Sequence, residues 1–128
     1  MNILIVDDME LVRNALKLLI KNYPGINSIF ECSDGSEVIP FLTSTEEKID
    51  LILMDVSMKN MDGLSATKLV KENYPEIPVT ILTMHIEENY ISMAKEVGAS
   101  AFVSKNSSSQ HIFEVIEKVL KGETSFNI

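Results

Sequence analysis

Five polar positions lie at or just beyond the ends of short hydrophobic runs in this chain, and their types suit one kind of chemistry. Asp7 and Asp8 follow Ile3 to Val6, Asp55 follows Leu51 to Met54, Thr83 follows Val79 to Leu82, and Lys105 lies just beyond Ala101 to Val103. Short apolar runs separated by helical patterns predict parallel strands, and an open parallel sheet binds ligands beyond the carboxyl ends of its strands. Residues distant in sequence would then share one edge. Three carboxylates gathered there repel one another, so Asp7, Asp8 and Asp55 require either protonation or a cation. Mg²⁺ is the simpler answer, because it takes oxygen ligands in an octahedron, uses one or two carboxylates, and completes its shell with water and phosphate oxygens. Lys105 would give a bound phosphoryl group a second positive contact, and Thr83 would hydrogen-bond a remaining oxygen. Asp55 stands alone on the central strand and is the natural nucleophile, giving an acyl phosphate when it attacks phosphorus.

The elements that must position these groups alternate regularly. Ile3 to Val6 reads as a strand, and Leu11, Ala15, Leu18 and Leu19 then fall at helical spacing up to Tyr23-Pro24-Gly25. Ser28 to Cys32 is the second strand. Asp34 can cap a helix carrying Val38, Phe41 and Leu42, which Pro40 should shorten or kink. Asp50 to Met54 is the third strand, its continuous apolar run implying burial on both faces. A loop over 56–61 follows, and Asp62-Gly63 opens a helix with Leu64, Leu69 and Val70 that stops at Tyr74-Pro75. Pro78 to Leu82 is the fourth strand, followed by a helix with Tyr90, Ala94 and Val97 that ends at Gly98. Ala101 to Val103 is the fifth strand. Its helix starts after the serines at 107–109, repeats apolar residues at Ile112, Val115, Ile116, Val119 and Leu120, and ends at Gly122. Strict βα order with right-handed crossovers predicts an α/β fold, a doubly wound five-stranded parallel sheet with five helices.

With 128 residues, 45% of them hydrophobic, the chain has the size and apolar content of one domain. We expect that domain over residues 1–122, with 123–128 a tail or the start of a linker. A formal charge of -8 argues against nucleic acid or an anionic membrane as a direct partner. No apolar run approaches the ~18 residues that span a bilayer, and no basic leader precedes the first strand. A cytoplasmic location is expected. The single cysteine, Cys32, lies in an apolar stretch and is read as packing.

ILIVDD at 3–8, LILMD at 51–55, MDG at 61–63, ILT at 81–83 and GASAFVSK at 98–105 together resemble the receiver domains of two-component response regulators. The resemblance covers essentially the whole chain, and TMH at 83–85 with GASAFVSK is most similar to receivers that precede a LuxR or NarL type DNA-binding domain. It implies a flavodoxin-like receiver fold in which Asp55 accepts a phosphoryl group from a phosphohistidine on a sensor histidine kinase. It also implies that Asp7 or Asp8, Asp55 and the backbone carbonyl of Ser57 bind Mg²⁺, and that Thr83 and Lys105 contact the phosphoryl oxygens. Thr83 and Phe102 would be the switch residues, with the fourth helix, fifth strand and fifth helix as the output face. A homodimer formed on phosphorylation, and transcriptional control through a DNA-binding domain absent from this chain, belong to the same implication. The GETSFNI ending resembles the start of such a regulator's linker.

Three positions depart from the family's common pattern. Lys59 stands where proline is usual and adds a positive charge to the loop after Asp55. Asn106 follows Lys105 in place of the frequent proline, so no cis peptide is expected there. Met84 follows Thr83 where many receivers have a small residue, bringing bulk near the acyl phosphate.

Taken singly, each of these residues has a plainer reading: an aspartate as a helix cap, Lys105 as a surface lysine, Thr83 as a strand residue, Phe102 as half-buried packing on an edge strand. The conjunction favours a site. His85 and His111 have no Cys or His companions at ligand spacing and read as surface histidines, while Met54 and Met93 read as core filling. Glu46-Glu47 and Glu87-Glu88 read as solvated charge. Three functional classes fit the chain: a phosphoacceptor signalling module, a constitutive receiver-like interaction module, and a Mg²⁺-dependent phosphatase with an aspartate nucleophile. The phosphatase lacks support from a second acid two residues after either candidate nucleophile, since Ser57 follows Asp55 at that distance and Met9 follows Asp7. A flavin mononucleotide binder of the same fold is excluded by the acids after the first strand, which repel phosphate. A turnover enzyme is not expected.

Overall fold

The computed structural model describes residues 1–126, in which strand and helix alternate as the periodicity requires. The order is β1 (Asn2–Val6), α1 (Glu10–Ile20), β2 (Ser28–Cys32), a 3-10 turn (Gly35–Glu37) leading into α2 (Val38–Ser44), β3 (Leu51–Met54), α3 (Gly63–Asn73), β4 (Val79–Thr83), α4 (Glu88–Glu96), β5 (Ala101–Ser104) and α5 (Ser109–Leu120). The five strands form one parallel sheet in the order β2-β1-β3-β4-β5. Every residue of β3 and β4 is buried, which explains the unbroken apolar sequence of β3 and leaves Thr80 and Thr83 of β4 as buried polar side chains.

Alternate side chains of the strands feed two apolar layers. One holds Leu4, Val6, Ile52, Met54, Val79, Ile81 and Phe102 beneath α2, α3 and α4. The other holds Ile3, Ile5, Leu51, Leu53, Leu82 and Val103 beneath α1 and α5. The stripe of α5 (Ile112, Val115, Ile116, Val119) is wholly buried, each such side chain contributing about 1.5–3 kcal/mol relative to exposure.

Several local expectations need correction. The first helix stops at Ile20, and residues 21–25 form a turn closed by Gly25 at φ 90°. Pro40 is the third residue of α2, in the first turn, where a missing N–H leaves no intrahelical bond unmade, and α2 at seven residues is the shortest of the α-helices among the described residues. Asp34 caps the 3-10 turn, accepting from the Ser36 amide at 2.9 Å. Met54 fills the core, whereas Met93 is 43% exposed on α4. Cys32 is buried, and its burial pushes the thiol up to about 12, with Glu37 adding to the shift and Arg13 opposing it. No peptide bond among the described residues is cis, in keeping with Asn106.

Thr80 is the one buried side-chain oxygen without a hydrogen-bond partner among the described residues. An unpaired buried hydroxyl costs about 1–3 kcal/mol in desolvation. Thr80→Val keeps the shape and removes the polar atom, so we expect a stability gain of about 1 kcal/mol, seen as a higher urea midpoint with an unchanged slope. A lower midpoint would show that the hydroxyl is satisfied.

Candidate functional site

The parallel ladder continues past the ends of the strands and carries the polar residues with it. Val6 is paired with Met54, which sets Asp7 and Asp55 abreast one residue further on. The Asp7 amide donates to Cys32 O at 3.1 Å, the Asp55 amide to Val6 O at 2.9 Å, and the Lys105 amide to Thr83 O at 2.9 Å. Each backbone is therefore fixed by its neighbour strand.

One carboxylate oxygen from each of Asp7, Asp8 and Asp55 lies within 4.8 Å of the others. Asp7 and Asp55 are buried, and Asp8 is exposed. Lys105 reaches over this group, its Nζ 2.5 Å from Asp7 Oδ2 and 3.3 Å from Asp55 Oδ2. The second oxygens are held by the backbone, Asp7 Oδ1 accepting from the Met9 amide at 3.0 Å and Asp55 Oδ1 from the Val56 amide at 2.9 Å. Burial raises the Asp55 carboxyl above its ordinary range and the Asp7 charge adds to this, while Lys105 pulls it back. Arg13 donates to the Asp7 carbonyl at 2.7 Å, but its charge is paired with Glu31. Lys105 is bonded to Asp7 and Asp55, so the three acids outnumber the one cation in contact with the group by two. A compact all-oxygen donor set carrying that excess fits a hard divalent cation.

The loop after β3 is positioned by two devices. Asp34 accepts from the amides of Asn60 at 2.9 Å and Met61 at 3.1 Å, tying the loop to the start of the 3-10 turn. Burial pushes the Asp34 carboxyl up, but these donors and those of Ser36 outweigh it and hold the group at about 2. Gly63 then opens α3 against the chain: a Cβ there would stand 1.7 Å from Asp55 O. Asp62 caps the helix through the Ser65 amide at 2.8 Å. Gly63 of the MDG sequence is thus a packing requirement of the Asp55 backbone, and Asp62 is the cap of the helix it opens.

Thr83 is fully buried, and its hydroxyl oxygen accepts from the His85 amide at 3.1 Å. Phe102 is also fully buried, not half-buried, and lies in the layer beneath α2, α3 and α4, away from the carboxylates. Ser57 is exposed, and its hydroxyl bonds His85 Nε2 at 2.8 Å. His85 is half-buried and packs on Tyr90, with ring centroids 5.4 Å apart. Reading it as an unattached surface histidine missed this bridge, because Ser57 and His85 share no spacing motif and meet only through the adjacency of β3 and β4. Met84 is 55% exposed, and Lys59 is exposed.

This arrangement matches known proteins. A sequence profile of the response regulator receiver domain matches residues 3–117. The chain belongs to the response regulator receiver family. Response regulator protein VraR of Staphylococcus aureus is 35% identical over 124 residues, which are 97% of this chain and 58% of that protein; VraR of Staphylococcus saprophyticus is 36% identical over the same shares. The receiver thus spans little more than half the length of these curated relatives. A LuxR family two-component response regulator from Aurantimonas superposes with a TM-score of 0.90 at 29% identity, covering 98% of this chain and 88% of that one. A LuxR family DNA-binding response regulator from Silicibacter pomeroyi gives 0.84 at 27%, covering 98% and 96%. Among the described residues no helix is long and apolar enough to cross a membrane.

Asp34 supplies two charge-assisted bonds to the site loop, so Asp34→Ala is expected to cost about 2–3 kcal/mol in a urea titration at pH 7. Its folded-state pKa, about 2, lies below the ordinary 3.8. The contribution is therefore fully present above pH ~4 and lost as pH falls toward ~2, and the gap between wild type and variant should narrow across that window. A constant gap would show that the charge is not what holds the loop.

Proposed function

We propose that this receiver accepts a phosphoryl group on Asp55 from the phosphohistidine of a sensor histidine kinase. The observation that carries the reading is the contact of Lys105 with both Asp7 and Asp55, a lysine from one strand end spanning two others. In the transfer an Asp55 oxygen attacks phosphorus, the phosphorus–nitrogen bond breaks, and its electron pair returns to the departing imidazole. Lys105 keeps its charge against the phosphoryl oxygens. The Thr83 oxygen accepts from His85, which leaves the hydroxyl proton free to be donated to a phosphoryl oxygen.

Asp7, Asp8 and Asp55, with the backbone carbonyl of Ser57, are the residues that would hold Mg²⁺. When bound, the ion supplies the charge neutralisation that lets an anionic nucleophile meet an anionic phosphoryl group. Lys105 alone does not balance the acids present, so the donor set itself favours this reading.

Thr83 and Phe102 are proposed to carry the switch to the face formed by α4, β5 and α5. Phe102 already lies inward, so phosphorylation would hold it there by differential contacts rather than bring it there. We take the receiver unit to run past the expected boundary at 122, because Ser125 pairs with β5 and Phe126 packs on the core; a linker would start after these residues, and 127 and 128 lie outside the described residues. The longer relatives and the DNA-binding regulator from Silicibacter support a role in transcriptional control through a further domain; a homodimer forming on phosphorylation is proposed from the family resemblance alone. The chain itself would bind no nucleic acid, given its acidic charge, and would act in the cytoplasm as a signalling protein.

Incubation with acetyl phosphate and Mg²⁺, followed by intact mass, tests the reading. We expect a gain of one phosphoryl group that is lost with Asp55→Asn or a chelator, and about 10²-fold slower gain in Lys105→Met. No gain by a folded protein, from acetyl phosphate or a phosphorylated kinase, would contradict it and favour a constitutive interaction module. Continued phosphate release from small esters over many cycles would favour a phosphatase.

A further inference from the structure

Residues 123–126 turn back along the outer edge of β5. Ser125 stands in parallel register with Ala101; its amide donates to Ser100 O at 3.0 Å, and the Phe102 amide donates to Ser125 O at 3.0 Å. The entry is a tight turn at Gly122, φ 87°, with the Glu123 amide bonded to Lys118 O at 3.0 Å. Ser125 is buried. Phe126 packs against the apolar layer that contains Phe102, Ile91 and Ala94, and Lys95 of α4 lies 5.3 Å from the centre of its ring. This short segment therefore grips two elements at once, β5 by backbone hydrogen bonds and α4 by side-chain contact.

Those two elements are also tied to the carboxylate site. β5 delivers Lys105, and α4 begins five residues after Thr83, across a loop held by the His85 amide on the Thr83 hydroxyl and the His85 ring on Ser57. A phosphoryl group on Asp55 would change what Lys105 contacts, since Lys105 is bonded to the Asp55 carboxylate itself, and on the phosphoacceptor reading it would draw on the Thr83 hydroxyl as well. A segment holding β5 with one hand and α4 with the other fits only one relation of the two. Displacement of either against the other must break a contact.

We propose that residues 123–126 form a strap that locks α4 to β5 in the unphosphorylated domain and releases the β5 edge when Asp55 is phosphorylated. The inference rests on the phosphoacceptor reading of Asp55. By linkage, whatever phosphorylation does to the strap, loosening the strap does in return to phosphorylation. A strap that holds the unphosphorylated arrangement opposes the modification, and weakening it favours the modification. The released edge would also expose the Phe102 amide and Ser100 carbonyl, a template for strand pairing with another chain.

Amide exchange on the full 128-residue chain reads the strap directly, because the Ser125 and Phe102 amides exist as strap bonds. Without phosphodonor we expect both amides to be protected. Phe126→Ala should speed exchange at both by about tenfold or more while β1 and β3 amides keep their protection. Ser125→Pro removes the donor to Ser100 without removing the aromatic, and should do the same at Phe102. With acetyl phosphate and Mg²⁺, the wild type should lose protection at both amides as its mass rises by one phosphoryl group, Asp55→Asn should not, and Phe126→Ala should reach a higher phosphorylated fraction. Full phosphorylation by mass with protection unchanged at both amides would overturn the strap and leave the phosphoacceptor reading intact. No mass gain by the folded protein, from acetyl phosphate or from a phosphorylated kinase, would overturn that reading itself.

Discussion

Charge crowding at the carboxyl ends of the strands is the constraint on which the rest of this molecule depends. Asp7, Asp8 and Asp55 offer oxygens within 4.8 Å of one another, two of these residues are buried, and Lys105 is the cation in contact with them. Burial raises the Asp55 carboxyl above its ordinary range, the neighbouring Asp7 charge adds to that, and Lys105 opposes it. A protein optimised for stability alone would not gather these groups. Their repulsion is offset elsewhere, chiefly by two apolar layers whose central strands are buried on both faces.

The sheet does more than supply stability. Parallel register sets Asp7 beside Asp55, and the ladder reaches past the strands to hold the backbones of Asp7, Asp55 and Lys105. The loop that follows Asp55 is fixed from two sides, by the Asp34 carboxylate and by the contact of Gly63 with the Asp55 carbonyl. Around the fixed acids stand groups held by single hydrogen bonds or by short segments: the Thr83 hydroxyl under the His85 amide, the Ser57–His85 bridge, and the segment from Glu123 to Phe126 on the β5 edge.

Most of the fold was legible because apolar runs and helical periods agree with it throughout. The positions of Asp7, Asp55, Thr83 and Lys105 followed from one rule about strand ends, and the structure brings the three acids and Lys105 into one cluster. Other features resisted reading for identifiable reasons. Pro40 has opposite meanings in the first turn and the middle of a helix, and only the exact helix start decides between them. Met93 lies at a helical position whose face depends on how α4 sits on the sheet. The Ser57–His85 bridge and the Ser125 pairing are contacts between segments with no shared pattern, and the full burial of Phe102 reflects its place on the sheet face covered by the α4 side of the core, which position on an edge strand does not reveal.

If the uncompensated charge of the acids is what the site works with, the ion that relieves it must stabilise the folded state. The most direct measurement is the unfolding free energy at pH 7 as a function of Mg²⁺ at constant ionic strength. The account predicts a rise that follows single-site linkage, reaching about 2.7 kcal/mol at a hundredfold excess over the dissociation constant, and largely lost in Asp55→Asn. No rise, or an equal rise with sodium at the same ionic strength, would contradict it.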